Sequence, residues 1–361
     1  MSVPAAAFAL DTSLAGGRTT GIALYATRLA RELASGPCQG RLWMLGGAAE
    51  ALPAAPHSAS RLRSKTAWML AEVPALLRRH RPRLFHGVCN FALPLWRPAR
   101  TRFVLTVHDV IPLENPGSVS RPYRAQFELW LRHSLRLCDA VICDSEATRR
   151  SLLARFPGAP AVVVHLGADH VPPREALPPA PSLARRAYVL YVGALEARKN
   201  VTALLSAFEQ LPQSRDVALV LAGQHAFGAD AVTRGVERLV RAGLEVRLVG
   251  HLPEGELWSA IAGAAVLCCP SGAEGFGLPP LEGLALGVPV VASDIAVHRE
   301  VLGDAALFAA AGDAGALSQA LNRALEDEGL SRDLRRRGPA RAAGFTWRRC
   351  AEATAAVYAR V

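Results

Sequence analysis

Short apolar runs alternate with longer amphipathic stretches along almost the whole chain. The stretches between the runs, such as Gly21–Leu33 and Tyr123–Leu137, have the length and periodicity of helices. Strand-sized runs that alternate with helices predict parallel, doubly wound sheets. The runs interpreted as strands are Ala5–Leu10, Arg41–Leu45, Leu84–His86, Phe103–Val107, Ala140–Cys143, Ala161–His165, Tyr188–Val192, Ala218–Ala222, Val246–Val249, Ala265–Cys269, Val288–Ala292 and Ala306–Phe308.

A proline-rich segment divides this pattern into two halves. Residues 171–187 contain five prolines and are the clear candidate for a linker. We therefore expect an α/β protein with two Rossmann-like domains that face a cleft, with the ligand at the carboxyl ends of the strands. The expected divisions are a first domain at 1–172, a linker at 173–187, a second domain at 188–345 and a C-terminal helix at 346–361.

The composition indicates a folded chain from a reducing compartment. Of its 361 residues, 51% are hydrophobic and 20% are charged, which is enough to fill the cores of two domains. The seven cysteines include no Cys-x-x-Cys pair, which argues against a disulfide framework or a zinc site. The chain starts without a basic signal-peptide segment, and its longest central uncharged run contains Ser, Gly and Pro. We therefore expect a cytoplasmic protein without a membrane span.

The positive charge is concentrated in the first half. The net charge is +10. Residues 1–180 hold 22 Lys and Arg against 12 Asp and Glu, whereas the remaining residues hold 19 of each kind. This asymmetry suggests an anionic partner for the first half, such as a membrane surface, a phosphorylated lipid or a nucleic acid. A charge that serves solubility alone is the alternative.

The segment Pro270–Asp294 carries the most specific chemistry. Two glutamates, Glu274 and Glu282, flank a Gly-Phe-Gly turn and two prolines, and a short helical run and a buried strand follow. A glycine turn at the start of a helix presents backbone N–H groups to an anion. Carboxylates accept hydrogen bonds from sugar hydroxyls. The segment therefore indicates a nucleotide-sugar site.

Three further segments give this site a context. They are GGRTTGIALYATRLAREL at Gly16–Leu33, LTVHDVIPLENP at Leu105–Pro116 and YVGALEARKN at Tyr191–Asn200. Together with EGFGLPPLE, they resemble the retaining glycosyltransferases of the GT-B fold, family four in the sequence classification. The VGALEARKN and HDVIP forms most resemble enzymes of O-antigen and exopolysaccharide assembly that use GDP-mannose.

Arg198 and Lys199 are the expected partners of the donor diphosphate. They follow a predicted strand and turn, and stand just before a helix. When the bond from the anomeric carbon to the diphosphate breaks, negative charge grows on the phosphates and needs cations. Many relatives place an arginine directly after the glycine of this turn, where the chain has Ala194. We expect Arg198 to supply that charge. A solvated basic pair is the alternative interpretation.

The two glutamates have separate roles in the resembled family. The resemblance implies that Glu274 contacts the donor sugar and acts in catalysis with Arg198 and Lys199. It also implies that Glu282 binds both ribose hydroxyls. The alternatives are a solvated loop acid for Glu274 and a dipole-stabilising residue in the first helical turn for Glu282. The expected backbone N–H donors to sugar and phosphate are those of Gly275, Phe276, Gly277 and Leu278.

The first half contributes two further candidates. Gly21 belongs to a glycine loop with Gly16 and Gly17, and relatives use this loop against the diphosphate and the acceptor. His108 ends a buried strand and is expected to face the cleft, where its counterpart touches the donor sugar near the reaction centre. A structural histidine at a strand end is the alternative.

The segment Arg121–Arg136 interleaves arginines with Tyr123, Phe127 and Trp130. A basic aromatic helix can lie on an anionic membrane. An ordinary domain helix with its aromatics in the core is the alternative. Lipid-linked acceptors, which many relatives use, would explain a basic first domain.

The resemblance implies a retaining hexosyltransferase that moves a hexose, with mannose from GDP-mannose as the first choice, to a glycan or lipid-linked saccharide. We expect no cofactor and no metal, since no Asp-x-Asp motif occurs, and no nucleic-acid partner. The first domain is expected to make any peripheral contact with the inner face of the cell membrane. A sugar-nucleotide epimerase on the same fold and a non-catalytic sugar-nucleotide binding subunit are the alternatives.

Overall fold

The structure is a computed structural model. It describes residues 7–16, 20–60, 62, 64, 67–90, 93–179, 183–212, 214, 216–224 and 230–361. Gly17 of the expected glycine loop lies outside these residues.

The chain forms two compact units. Unit 1 comprises Met1–Gly167 together with Thr346–Val361, and unit 2 comprises Ala168–Phe345. The C-terminal helix is thus part of unit 1. The segment expected to be a linker, 173–187, lies within unit 2. Arg174 contributes to this placement, because its guanidinium donates hydrogen bonds to the carbonyl oxygens of Ala262 and Leu286 at 2.7 and 3.1 Å.

Unit 1 is built on a seven-stranded parallel sheet in the order β3-β2-β1-β4-β5-β6-β7. Every residue of β1, β2, β4 and β6 is buried, as expected for parallel strands covered on both faces. The strands are β1 Phe8–Asp11, β2 Leu42–Leu45, β3 His57–Ser58, β4 Leu84–Gly87, β5 Arg102–Val107, β6 Ala140–Cys143 and β7 Ala161–Val163. The helices are α1 Gly21–Ser35, α2 Val73–His80, α3 Ile111–Glu114, α4 Arg121–Leu137, α5 Glu146–Arg155 and, from the end of the chain, α13 Trp347–Arg360.

Unit 2 repeats the plan with a six-stranded parallel sheet in the order β10-β9-β8-β11-β12-β13. The strands are β8 Tyr188–Val192, β9 Ala218–Ala222, β10 Val246–Gly250, β11 Val266–Cys269, β12 Val290–Ser293 and β13 Leu307–Ala309. The helices are α6 Val201–Glu209, α7 Asp230–Arg241, α8 Glu254–Gly263, α9 Leu278–Ala285, α10 Ala296–Leu302, α11 Ala314–Glu326 and α12 Glu328–Ala342. Two parallel, Rossmann-like sheets confirm the fold class predicted from the alternating pattern.

Each sheet has one point at which the strand order reverses. It lies between β1 and β4 in unit 1, and between β8 and β11 in unit 2. Loops at the carboxyl ends of the two strands diverge to opposite faces there and leave room for a ligand. The sequence segments that follow β8 and β11 are therefore where the fold of unit 2 offers a site.

Helix α13 is fastened to the unit 1 sheet by a chain of buried polar groups. The imidazole of His86 bonds the Tyr358 hydroxyl at 2.7 Å and the Thr106 hydroxyl at 2.8 Å. Thr106 also bonds the Tyr25 hydroxyl of α1 at 2.9 Å. A neutral imidazole donates from one nitrogen and accepts at the other, and a hydroxyl at each nitrogen satisfies both needs of an uncharged His86.

Acidification is expected to destabilise unit 1 through His86. Burial, with a further contribution from His108, lowers the pKa of His86 to about 3, whereas an exposed histidine has a pKa of about 6.5. Protonation therefore favours the unfolded chain. The stabilising effect is fully present above pH ~6.5, and it falls by about 1.4 kcal/mol per pH unit on acidification towards the folded-state pKa.

Urea unfolding at several pH values checks this expectation. Five of the six tryptophans lie in unit 1, so tryptophan fluorescence reports mainly on that unit. Between neutral and mildly acidic pH, the midpoint should fall more steeply for the natural chain than for His86→Gln, which cannot take up the proton. Equal slopes for the two proteins would show that another group controls the acid response.

Candidate active site

The turn after β8 carries two cations into the site of unit 2. The chain leaves β8 at Gly193 and makes one 3-10 turn at Ala197–Lys199. It then passes through Asn200, whose φ of 50° lies in the left-handed region, and starts α6. Both Arg198 and Lys199 belong to this short turn, so their side chains leave the same loop at the carboxyl end of β8.

The loop after β11 brings Glu274 to these cations. The Nζ atom of Lys199 lies 2.5 Å from Glu274 Oε1, and Arg198 Nη1 lies 3.3 Å from Glu274 Oε2. Arg198 also donates to the carbonyl oxygen of Ala273 at 3.1 Å and pairs with Glu196 at 2.7 Å. The fold thus brings together three of the predicted site residues, Arg198, Lys199 and Glu274. With Glu196 they form what we call the Glu274 cluster.

The electrostatics of the Glu274 cluster keep its carboxylate ionised. Burial alone would raise the pKa of Glu274, but the charges of Lys199 and Arg198 outweigh that effect and lower it to about 2. The side chains of Glu274 and Lys199 are only 13% and 12% exposed. Two cations and two carboxylates give the cluster no net formal charge. An incoming diphosphate must therefore compete with Glu274 for Lys199 and Arg198.

The helix α9 begins directly beyond this cluster. Its N-cap is Gly277, whose φ of 90° lies in the left-handed region where glycine is favoured. The next helical positions include Pro279 and Pro280, which carry no backbone N–H. Most backbone donors at this end of the helix must therefore come from residues 275–278, the four positions that the sequence indicated.

Glu282 is buried inside α9 and has a histidine partner. His170 Nε2 lies 3.0 Å from Glu282 Oε1, and the His170 side chain is fully buried. The imidazole also packs edge-on against Trp258, with ring centroids 5.6 Å apart. His170 was not identified from the sequence. It stands 112 positions from Glu282, and no local pattern marks it.

His298 is a second residue that the sequence did not indicate. Its Nδ1 bonds the carbonyl oxygen of Ser293 at 2.9 Å, so that nitrogen carries the proton. Burial lowers the pKa of His298, and Nε2 is a buried acceptor that has no hydrogen-bond partner among the described residues. A Cβ atom on Gly277 would come within 3.6 Å of this nitrogen. Glycine at 277 therefore leaves space beside an unused acceptor at the start of α9.

In unit 1, His108 is more enclosed than the sequence suggested. Its Nδ1 lies 2.6 Å from Asp144 at the end of β6, and its Nε2 lies 2.8 Å from the carbonyl oxygen of Val88. Burial lowers the pKa of His108, but the Asp144 carboxylate more than compensates and the pKa is raised. Because both partners are acceptors, the ring is held as an imidazolium with both N–H groups engaged. Direct contact with a ligand requires one of these bonds to break.

Gly21 takes a helical position, as the amphipathic stretch Gly21–Leu33 predicted, and not a position within the glycine loop. It is the first residue of α1, because Thr20 caps that helix by accepting a hydrogen bond from the backbone N–H of Ala23 at 3.2 Å. Gly21 is exposed at the carboxyl-end side of β1. It remains near the strand-order reversal of unit 1, where ligands of such sheets bind.

The helix α4 turns its central apolar side chains inwards. Phe127 and Leu131 are buried in the core of unit 1. Arg132 pairs with Glu128 at 2.7 Å. Tyr123 and Leu129 are the exposed large side chains of this helix, so its outer face combines two apolar groups with arginines.

Over the described ranges, no group of three or more His, Cys, Asp or Glu side chains is arranged to hold a metal ion. Within the same ranges, no helix has both the length and the apolar character needed to cross a membrane.

Two family models match the chain, one over each half. The Glycosyltransferase Family 4 model matches residues 19–171, and the model for Glycosyl transferases group 1 matches residues 174–341. O-antigen chain mannosyltransferase B from Escherichia coli is 33% identical over 292 residues, which cover 78% of this chain and 75% of that protein. A glycogen synthase of Mycobacterium tuberculosis is 29% identical over 336 residues, covering 84% and 78%.

Solved structures agree with the architecture. Anabaena Alr3699/HepE, solved in complex with UDP-glucose, superimposes with a TM-score of 0.75 over 98% of this chain and 99% of that one, at 18% identity. This likeness supports the fold. The matches to both halves and the identity to the E. coli enzyme extend the argument from fold to family. The chain therefore belongs to the GT-B glycosyltransferases of family four.

Proposed function

We propose that this glycosyltransferase moves mannose from GDP-mannose to a glycan or lipid-linked saccharide, with retention of configuration at the anomeric carbon. The observation that carries the proposal is the Glu274 cluster, in which two cations and a carboxylate meet where the sheet order of unit 2 reverses. The choice of mannose follows the similar O-antigen mannosyltransferase. Because a glycogen synthase is also similar to this chain, glucose donors and donors with other nucleotides are the alternatives to be tested.

The roles of the cluster follow from its charges. In the proposal, the donor diphosphate takes the place of Glu274 on Lys199 and Arg198, and the released carboxylate accepts hydrogen bonds from the donor sugar. The two cations then face the phosphate oxygens on which charge develops as the glycosidic bond breaks. They supply the neutralisation that a divalent ion supplies at other phosphate sites, so the proposal includes no metal.

The transfer step is a front-face substitution. The bond between the anomeric carbon and the phosphate oxygen breaks, and the acceptor hydroxyl oxygen bonds to the same face of the carbon. The acceptor proton passes to the departing phosphate, so no side-chain base is needed. Positive charge on the sugar is stabilised by the Glu274 carboxylate, which enters the reaction ionised because, before the donor binds, Lys199 and Arg198 outweigh burial and lower its pKa to about 2. In unit 1, we propose that Gly21 and His108 contribute to donor binding.

Turnover of a panel of nucleotide sugars tests the proposal. The protein is incubated with GDP-mannose, UDP-glucose and their analogues, with and without a bacterial lipid extract as acceptor. Acceptor-dependent release of GDP, with a product that keeps the donor anomeric configuration by NMR, is the expected result. Acceptor-free conversion to an epimer would instead indicate the epimerase class. Binding without turnover would indicate a non-catalytic subunit.

Glu282 and His170 are expected to act on donor affinity. A carboxylate that binds the ribose is far from the bond that breaks, so it stabilises the bound donor equally in the ground state and in the transition state. Its loss therefore raises KM with little change in kcat. We expect Glu282→Gln to raise the donor KM about 10-fold, which corresponds to loss of one hydrogen bond to a charged group. His170→Phe keeps the ring beside Trp258 but releases Glu282, and should give a smaller increase of the same kind.

Steady-state kinetics with varied donor measure this effect. Glu256→Gln, an exposed glutamate of α8, is the matched control and should leave KM unchanged. A fall in kcat with constant KM for Glu282→Gln would place this residue at the chemical step and contradict the assignment.

The proposed partners and location follow from composition. None of the seven cysteines forms a disulfide, and six of them are buried, which suits the reducing cytoplasm. We propose that the basic unit 1 brings the enzyme to the inner, anionic face of the cell membrane, where lipid-linked acceptors are held. Unit 1 has 24 Lys and Arg against 11 Asp and Glu, whereas unit 2 has 17 against 20.

A further inference from the structure

A basic surface pocket lies at the amino-terminal ends of β4 and β5 in unit 1. Its volume is about 340 Å³, and its lining includes Arg78, Arg81, Trp96, Arg97 and Arg100. Arg81 precedes β4 and Arg100 precedes β5, whereas His108 follows the other end of β5. We call this feature the arginine pocket.

Three of these guanidinium groups carry charge that no carboxylate balances. Arg97 pairs with Asp139 at 2.8 Å. Arg78, Arg81 and Arg100 have no ion pair with a carboxylate in the part of the chain that the structure describes. Arg78 instead lies over the indole of Trp96, 5.6 Å from its centroid. Like charges gathered on one surface repel one another, so an arrangement of this kind is expected where an anion joins them.

The backbone at the arginine pocket is held in an uncommon conformation. Among the described residues, three that are not glycine have a positive φ, and two of them are Arg81 at 48° and Arg100 at 75°. Thr101 joins the two loops, because its hydroxyl donates to the carbonyl oxygen of Pro82 at 2.9 Å. Arg81 takes this conformation as the C-cap of α2, where its backbone N–H donates to the carbonyl oxygen of Leu77. Arg100 lies outside any helix, and strained residues of that kind concentrate at binding sites.

A generic reason for some of these arginines is the dipole of α2. Cations near the carboxyl end of a helix are stabilised, and Arg78 lies in the last turn of α2. Arg100, however, comes from a separate loop before β5 and is not explained in this way. The convergence of two loops on one pocket therefore needs a further cause.

Exposed apolar side chains flank the arginines. Leu95 and Trp96 are 49% and 41% exposed, and are among the few large hydrophobic residues at the described surface. An indole and a leucine beside guanidinium groups are the combination that inserts at the boundary between lipid headgroups and acyl chains. Binding of a soluble anion alone does not explain why these apolar groups are exposed beside the pocket.

We propose that the arginine pocket binds the phosphate of an anionic lipid headgroup, while Leu95 and Trp96 enter the interfacial layer. This site accounts for the membrane partner in the proposed function, and the inference rests on that part of it alone. The six residues of β5 separate the pocket from His108 by about 20 Å. The lipid held here is therefore a docking contact and not the acceptor at the reaction centre.

Vesicle flotation tests the proposal with the full chain. Vesicles that contain phosphatidylglycerol should bind the protein, and vesicles of phosphatidylcholine alone should not. Each arginine at an anionic surface contributes about 1 kcal/mol, or roughly fivefold, so the triple variant Arg78→Gln, Arg81→Gln, Arg100→Gln should bind about 100-fold more weakly. Trp96→Ala should weaken binding without changing the charge.

A matched variant separates the pocket from the general charge of unit 1. Arg31→Gln, Arg121→Gln, Arg124→Gln removes the same charge from α1 and α4 and should retain vesicle binding within a few-fold. An equal loss in both triple variants would overturn the proposal in favour of diffuse attraction. Displacement of the protein from vesicles by equimolar inorganic pyrophosphate would also overturn it, in favour of a soluble anion.

A turnover assay distinguishes failure of the lipid site from failure of the proposed function. With a water-soluble saccharide acceptor, the arginine-pocket variants should release nucleotide as fast as the natural chain. If the natural chain binds phosphatidylglycerol vesicles through the pocket but shows no transfer, the proposed function fails and the lipid site stands. If transfer occurs but the pocket variants bind vesicles normally, the lipid site fails.

Discussion

Glu274→Gln is expected to lower kcat about 10²–10³-fold while GDP binding is kept or strengthened. The loss of turnover is of the size seen when one preorganised charge-stabilising group is removed from a reaction centre. The gain in nucleotide affinity has a separate cause. In the structure Glu274 occupies both Lys199 and Arg198, and a neutral glutamine no longer competes with a diphosphate for them.

Thermal unfolding with and without GDP tests whether Glu274 and GDP compete for Lys199 and Arg198. Removal of the Glu274 charge leaves Lys199 without its carboxylate and Arg198 with Glu196 alone. The ligand-free protein is therefore destabilised, by less than the ~3–5 kcal/mol that breaking a fully buried pair costs. The stabilisation by GDP should therefore be larger in Glu274→Gln than in the natural chain. Glu196→Gln, which removes a partner of Arg198 alone, is the control and should keep most of the turnover. Parallel loss of binding and turnover in Glu274→Gln would contradict competition.

Lys199→Ala should weaken GDP binding, in contrast to Glu274→Gln, and should lower the rate of turnover to a comparable extent. Lys199 is 12% exposed and contributes one of the two positive charges of the cluster, so its loss leaves Arg198 as the only cation that faces the diphosphate there. We expect kcat/KM to fall about 10²–10³-fold and GDP affinity to fall at least 10-fold, as expected for one charge-assisted contact.

The control for Lys199→Ala is Arg238→Ala. Arg238 forms an exposed pair with Glu209 on the same unit, and an exposed pair of this kind contributes little. This variant should match the natural chain in both kinetics and binding. An unchanged GDP affinity in Lys199→Ala would remove the lysine from the phosphate site.

The sequence predicted the strands of both sheets as far as they are described, except the two-residue β3, and it predicted the loops of the site. It did not predict the contacts between those loops. Apolar runs gave the strands because parallel strands covered on both faces are continuously hydrophobic. The pairing of Lys199 with Glu274 joins positions 75 residues apart. It depends on β8 and β11 being neighbours in the sheet. Strand order is a property of the whole chain, and the local pattern does not contain it.

The same reason explains the differences at His108 and Glu282. The end of β5 was predicted where it is found, but the orientation of the His108 ring is set by Asp144 from the next strand and by the carbonyl oxygen of Val88. Glu282 was predicted on a helix, and its partner His170 arrives from a segment 112 positions away. Residue types at strand ends therefore indicated the chemistry, and the fold decided which partners they meet.

Gly21 belonged to two predictions that overlap at one residue. It was grouped in a loop with Gly16 and Gly17, and it also began the amphipathic stretch Gly21–Leu33. The helix is confirmed, because Thr20 provides a side-chain cap that starts α1 one residue later. A threonine before an apolar stretch is a helix-start signal, so this boundary was readable from the sequence.

Isothermal titration of the protein with GDP and UDP tests the central claim, that the Glu274 cluster is a diphosphate site. The account predicts measurable heat for the natural chain, equal or tighter binding for Glu274→Gln and much weaker binding for Lys199→Ala. No heat with either nucleotide, or identical affinities in all three proteins, would contradict it.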